Sequence, residues 1–195
     1  MADKYKNFEE LAAHEVEGVD YGIRMTDKGS RIAILAPHAG EIELGSSQLA
    51  DAIAKSDYTL YCFEGLKPGR PHSDLHITSS RFNEPRGLRI ATSAEVVVGV
   101  HGCKDEAGED VVLLGGRHFA LRDLVAEELR RAGFRAKTEG HDFPGTDPAN
   151  ICNRGSKKAG LQIEVPWTLR ERLRENPAQL EAFAEAVRTA LKQAL

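Results

Sequence analysis

His38, His101 and Glu164 each stand at the C-terminal end of a short apolar run, in IAILAPH, EVVVGVH and GLQIEV. Runs of this composition read as buried strands, and in open α/β sheets ligands bind outside the carboxyl ends of the strands. Core packing gives no reason to end three such runs on two imidazoles and a carboxylate. These are side chains that bind a metal ion or move a proton. His38 is followed by Glu41 and Glu43, so it forms either an H-x-x-E or an H-x-x-x-x-E pair. A near His/Glu pair with a remote histidine is the layout of a three-ligand catalytic zinc site that leaves one position for water. Glu164 is the carboxylate left over, suited to take a proton from that water and pass it to a leaving amine.

Each of these residues also has a bland role. H-x-x-E alone is common on surfaces, His101 can cap a strand, and Glu164 can pair with Arg154. Arg154, in the polar segment NICNRG, is equally suited to clamp a substrate carboxylate bidentately. His76 lies in an apolar run and can line a pocket, whereas His14, His72, His118 and His141 default to surface or core-edge roles. Gly115-Gly116-Arg117 matches neither a dinucleotide nor a Walker loop and reads as a tight strand-to-helix turn. The charged helical stretches RDLVAEELRR and LRERLRE read as solvated faces.

The elements that position these residues follow from periodicity. Phe8, Leu11 and Ala12 space a short amphipathic helix. Residues 20–25 and 32–35 read as strands with Asp27-Lys28-Gly29 turning between them. Ser46 or Ser47 caps a helix with Leu49, Ala50, Ile53 and Ala54 on one face. Residues 58–63 form a strand, 66–73 a loop and 75–78 a further short strand. Residues 95–101 and 111–114 are buried strands. Phe119, Leu121, Leu124, Val125 and Leu129 define a helix that ends near Gly133. A strand over 134–138, a loop over 140–149 and a strand over 160–165 follow. Asn176 caps a last helix with Pro177 in its first position and an apolar stripe of Leu180, Phe183, Ala184, Val187 and Leu191. Strands alternating with helices predict one α/β domain over residues 1–195, a mixed sheet flanked by helices.

Bulk properties narrow the function classes. The chain's 195 residues suit one core. A net charge of −4, dispersed without a basic run, argues against a nucleic-acid partner. No segment approaches the roughly 20 apolar residues that span a bilayer, which argues against a membrane partner. The opening MADKYKNFEELAAHEVEG lacks the apolar region of a signal peptide. Cys62, Cys103 and Cys152 are odd in number and match no zinc knuckle, so they read as reduced, buried thiols of a chain folded in the cytoplasm.

In order along most of the chain, KYKNFEELAAHEVEGVDYGI, LAPHAGEIELGSSQLADAIA, YCFEG, LHITSSRFNEP, VVGVHG, LLGGR, NICNRG and GLQIEV resemble the poly-γ-glutamate hydrolase family of phages and bacteria, which is similar to the zinc carboxypeptidases. The resemblance implies a zinc carboxypeptidase-like α/β sandwich and cleavage of the γ-glutamyl amide bonds of poly-γ-glutamate. It implies Zn2+ held by His38, Glu43 and His101, with Glu164 as general base and acid. The family pattern P-H-G-G-x-I-E places its glutamate on Glu43, whereas the carboxypeptidase spacing would choose Glu41, and Ala39 stands here for a glycine. Ser80-Arg81 stands where threonine and histidine are expected, so Arg81 joins Arg154 as a candidate to bind a carboxylate or stabilise an oxyanion. A polymer with one α-carboxylate per unit implies a groove lined by arginines and lysines, and activity that weakens with salt. Two other readings use the same residues. One is a zinc deacylase or carboxypeptidase with a closed pocket for small substrates, and the other is a non-catalytic polyanion-binding domain without metal. The lack of a leader implies release by cell lysis, natural for a phage product.

Overall fold

Seven strands form one sheet in the computed structural model, which describes residues 3–69, 71–105 and 110–194. They are β1 (Tyr21–Thr26), β2 (Ile32–Gly40), β3 (Thr59–Gly65), β4 (Val96–Cys103), β5 (Val112–Gly115), β6 (Ala136–Lys137) and β7 (Leu161–Pro166). Their spatial order is β1-β3-β2-β4-β7-β5-β6. The centre, β3-β2-β4-β7, is parallel. β1 runs antiparallel to β3 and β5 antiparallel to β7, so the sheet is mixed, as expected. Central strands covered on both sides must be apolar throughout, which is why β4 and β7 read as continuous hydrophobic runs.

The described helices are α1 (Phe8–Ala12), α2 (Ser46–Ala54), α3 (Pro85–Ser93), α4 (Phe119–Arg131), α5 (Trp167–Glu175) and α6 (Pro177–Ala194). Side chains alternate across each strand. Ile34, Val98, Val100 and Ile163 therefore face one layer, where Leu49, Val125, Leu173 and Phe183 of α2, α4, α5 and α6 pack on them. Leu35, Tyr61, Phe63 and Val97 face the other, under Leu11 of α1 and Ile90 of α3. The three cysteines are buried. No described helix is long and apolar enough to cross a membrane.

The elements differ in places from those expected. Residues 20–25 and 32–35 both fall in strands, but β3 lies between β1 and β2 in the sheet. Residues 75–78 form no strand; their polar groups bond to Asp3 and His38 instead. Helix α3 was not foreseen. It starts with Pro85 in its first turn, and the Glu84 carboxylate accepts from Gly87 N.

The Gly115-Gly116 turn is tight for a steric reason. Gly116 has φ +98°, and a Cβ there would lie 2.2 Å from the Gly160 carbonyl oxygen. Gly116→Ala combines left-handed strain with a backbone clash, a cost of about 3 kcal/mol. For a chain of this size that lowers the melting temperature by about 6–12 °C, to be read by differential scanning calorimetry.

Candidate metal centre and active site

Strands β2, β4 and β7 are neighbours, and their C-terminal ends carry His38, His101 and Glu164 to one edge of the sheet. The register of β2 against β3 shifts between Ala36 and Ala39, a bulge at Pro37, which has no N–H to give the ladder. The chain then turns back through Gly40 (φ +64°), where a Cβ would lie 2.4 Å from Gly65 O. Glu43 N donates to His38 O at 3.0 Å, which closes the loop and folds Glu43 beneath the imidazole. Glu43 Oε1 stands 3.2 Å from His38 Nδ1. Its Oε2 accepts from Gly102 N at 2.7 Å, which ties this loop to β4. Glu41 lines the same cleft but is half exposed, and its N–H is spent on Gly65 O.

His101 comes from β4, with its Nδ1 3.1 Å from His38 Nδ1 and 3.8 Å from Glu43 Oε2. All three side chains are buried. His38 Nε2 lies 2.8 Å from Ile77 O, a pure acceptor, so Nε2 carries the hydrogen and Nδ1 of the neutral ring is a lone pair. Two imidazole nitrogens and a carboxylate thus converge on one buried point. Ligand atoms 2.0–2.1 Å from a tetrahedral zinc ion stand about 3.3 Å apart. His38 Nδ1 stands 3.1 Å from His101 Nδ1 and 3.2 Å from Glu43 Oε1, spacings that suit such an ion, while His101 Nδ1 meets the other carboxylate oxygen, Oε2, at 3.8 Å. Burial works against charge on His38, but the Glu43 carboxylate outweighs it and raises its pKa. Burial and His38 together push His101 down to about 3.

Glu164 is the register partner of His101, so the two share one face of the sheet. Its Oε1 accepts from Gln162 Nε2 at 3.0 Å, and Gln162 Oε1 accepts from Asn150 Nδ2 at 2.7 Å. Burial, reinforced by Glu43, raises the Glu164 pKa well above the usual carboxylate range.

A wall of histidines closes one side. The His76 ring packs at a tilt against His38 with centroids 3.9 Å apart, and His72 against His76 likewise at 4.3 Å. His76 is held by Asp3 Oδ1, 2.6 Å from its Nδ1. His38, Glu43 and His76 also bring one ligand atom each within 4.8 Å of one another. Asp3 engages His76 Nδ1, which leaves Nε2 as the atom that this ring can offer a metal. His72, read from sequence as a surface residue, lines the cleft with Nε2 3.5 Å from Glu43 Oε1. Its four-residue spacing from His76 was the signal that could have drawn attention to it.

The cleft is open and measures about 970 Å³. Its described wall includes Glu41, Glu43, Asp105, Asp142, Asp147 and Glu164, against Lys104 and Arg170 as the basic groups. The arginine-lined groove expected from sequence is therefore not what the described residues form. Arg81 does not line the cleft; its Nη2 pairs with Asp3 Oδ2 at 2.7 Å and bonds Thr78. Arg154 also lies outside the lining, in a 3₁₀ turn over Ile151–Arg154. Both arginines were placed at the site by sequence proximity to chemistry-bearing segments, and the backbone turns them away. Arg170, read as part of a solvated face, is buried at the floor.

A mixed seven-stranded sheet flanked by helices is a fold that this chain has in common with other solved proteins. A putative carboxypeptidase from Burkholderia mallei shares it, with TM-score 0.51 at 15% identity over 89% of this chain and 59% of that one, a likeness of fold alone. The chain belongs to the poly-gamma-glutamate hydrolase family, whose model matches residues 5–188. It superposes on a bacteriophage poly-gamma-glutamate hydrolase with TM-score 0.91 and 31% identity, over 99% of this chain and 98% of that one. The Bacillus subtilis protein YndL is 39% identical over 173 residues, 88% of this chain and 67% of its own length. YndL in an apo, zinc-free form superposes with TM-score 0.88 over 98% of each chain.

Proposed function

We propose that this chain is a zinc-dependent hydrolase of the γ-glutamyl amide bonds in poly-γ-glutamate, with His38, Glu43 and His101 as metal ligands and Glu164 as general base and acid. The observation that carries this reading is the convergence of His38 Nδ1, His101 Nδ1 and the Glu43 carboxylate, beside Glu164, in an open cleft. Zinc, when bound there, supplies positive charge that polarises a carbonyl and lowers the pKa of a water. Glu164 takes a proton from the attacking water as the new C–O bond forms. It delivers that proton to the amide nitrogen as the C–N bond breaks. Gln162 holds Oε1 of Glu164, which leaves Oε2 to carry the proton. A raised pKa suits the second half of this cycle, in which the carboxyl acts as an acid.

The cleft's openness favours a polymer over a small substrate held in a closed pocket, and a polyanion-binding module has no use for a buried trio of ligands. The test is zinc content of the purified protein together with poly-γ-glutamate chain length followed by gel filtration. One zinc per chain with shortened polymer supports the proposal. Zinc without cleavage redirects it to small γ-glutamyl or N-acyl amides, and no zinc after metal is supplied defeats it.

The charge of the described wall reverses the expected salt effect. With Glu164 left uncounted because its pKa is raised, five carboxylates still outweigh Lys104, Arg170 and a divalent ion, so a polyanion approaches against weak repulsion. Raising ionic strength from about 0.01 to 0.15 M shortens the Debye length from about 30 to 8 Å. The expected result is a lower KM at the higher salt with kcat unchanged. A KM that climbs with salt would restore a basic groove.

A further inference from the structure

We propose that Arg170 is the positioning residue that locks the three ligand- and carboxylate-bearing segments into one frame; this rests on the zinc-site reading above. Arg170 lies in the first turn of α5, just beyond β7, and its guanidinium turns back under the cleft. Its Nε donates to Val165 O at 3.0 Å, one residue past Glu164. Its Nη1 donates to Leu44 O, one residue past Glu43. Its Nη2 donates to Cys103 O at 3.2 Å, two residues past His101. Each guanidinium nitrogen therefore reads the backbone of a different site segment.

The surroundings are shaped for this group. A Cβ on Gly102 would lie 2.3 Å from Arg170 Cζ, so the planar head rests directly on bare backbone. Gly45, at φ +95°, makes room on the stem side, where a Cβ would lie 3.3 Å from Arg170 Cβ. The Trp167 ring flanks the cation at 5.3 Å. Gly102 is also the residue whose N–H binds Glu43 Oε2, so the clamp and a ligand share one backbone unit. Burying a guanidinium against carbonyls costs desolvation. A planar fork with fixed donor directions holds three carbonyls at once, which a lysine's point charge does not. Contacts that hold the backbone of the ligating segments set ligand orientation, and their loss typically weakens metal binding about 10–100-fold.

The experiment uses Arg170→Met and Arg170→Lys beside wild type. The readouts are zinc affinity by competition with a chromophoric chelator, the visible spectrum of the cobalt-substituted protein, and kcat and KM on poly-γ-glutamate. Both variants are expected to bind zinc about 10–100-fold more weakly, with altered cobalt bands and a fall in kcat larger than any change in KM. Wild-type zinc affinity and an unchanged cobalt spectrum in Arg170→Met overturn the proposal, as does a rise in KM alone, which would make Arg170 a substrate contact. Rescue by Arg170→Lys also overturns it. If Arg170→Met fails to fold, Gly102→Ala keeps the charge but displaces the guanidinium, and unweakened zinc binding there counts against the clamp. A wild-type protein that binds no zinc defeats the site reading itself, whatever the variants do.

Discussion

Glu164→Gln is expected to hold one zinc per chain as wild type does, while kcat on poly-γ-glutamate falls by about 10²–10⁴-fold. Glutamine keeps the shape of the side chain and its place beside Gln162. It neither accepts the proton of water nor returns one to the amine. The measurement pairs metal analysis of the dialysed variant with initial rates of polymer shortening. A fall of only a few-fold would move the base to another cleft residue. His76 is then the candidate, because Asp3 fixes its Nδ1 and leaves Nε2 for proton transfer. Loss of zinc along with activity would contradict the role given to Glu164.

His101→Ala is expected to abolish both zinc binding and the stability that zinc confers. A ligand present at about 1,000 times its dissociation constant stabilises the native state by about 4 kcal/mol. For a chain of this length that corresponds to about 8–16 °C in melting temperature. Wild type should lose that increment on chelation, whereas His101→Ala should melt at one temperature with or without chelator. Glu43→Ala should behave likewise and Glu41→Ala like wild type, because Glu43 faces both imidazoles. The reverse pattern would hand the ligand role to Glu41.

Much of this was legible in the sequence because it obeys local rules. Apolar strands ending in His38, His101 and Glu164 announce the sheet edge at which the cleft opens, and the Asn176-Pro177 start of the last helix is a local signal that the Asn176 cap of Gln179 N bears out. What was missed depends on tertiary partners. Helix α3 carries Gly87, which weakens its helical signature but is needed because a Cβ there would lie 2.9 Å from the Tyr61 ring. Arg170 sits in a stretch whose charge density reads as solvated, and only the three carbonyls beneath the cleft explain its burial. Arg81 and Arg154 were drawn toward the site by the company they keep in sequence. The first is claimed by Asp3, a residue 78 positions away, and no periodicity reports such a pairing.

The central parallel order β2-β4-β7 has a kinetic consequence. His38 and His101 are 63 residues apart in the chain, and strands β2 and β4 are joined by a crossover rather than a hairpin. No local segment can gather the donors as a zinc knuckle does, and pairings of such sequence separation form late and slowly. On the proposed site, the ion would meet its full ligand set only after the long-range pairing of β2 with β4 has formed. Interactions absent from the transition state act on the rate of leaving the native state. In this architecture a zinc ion held as proposed would not guide the chain to its fold; it would lengthen the life of the fold once reached.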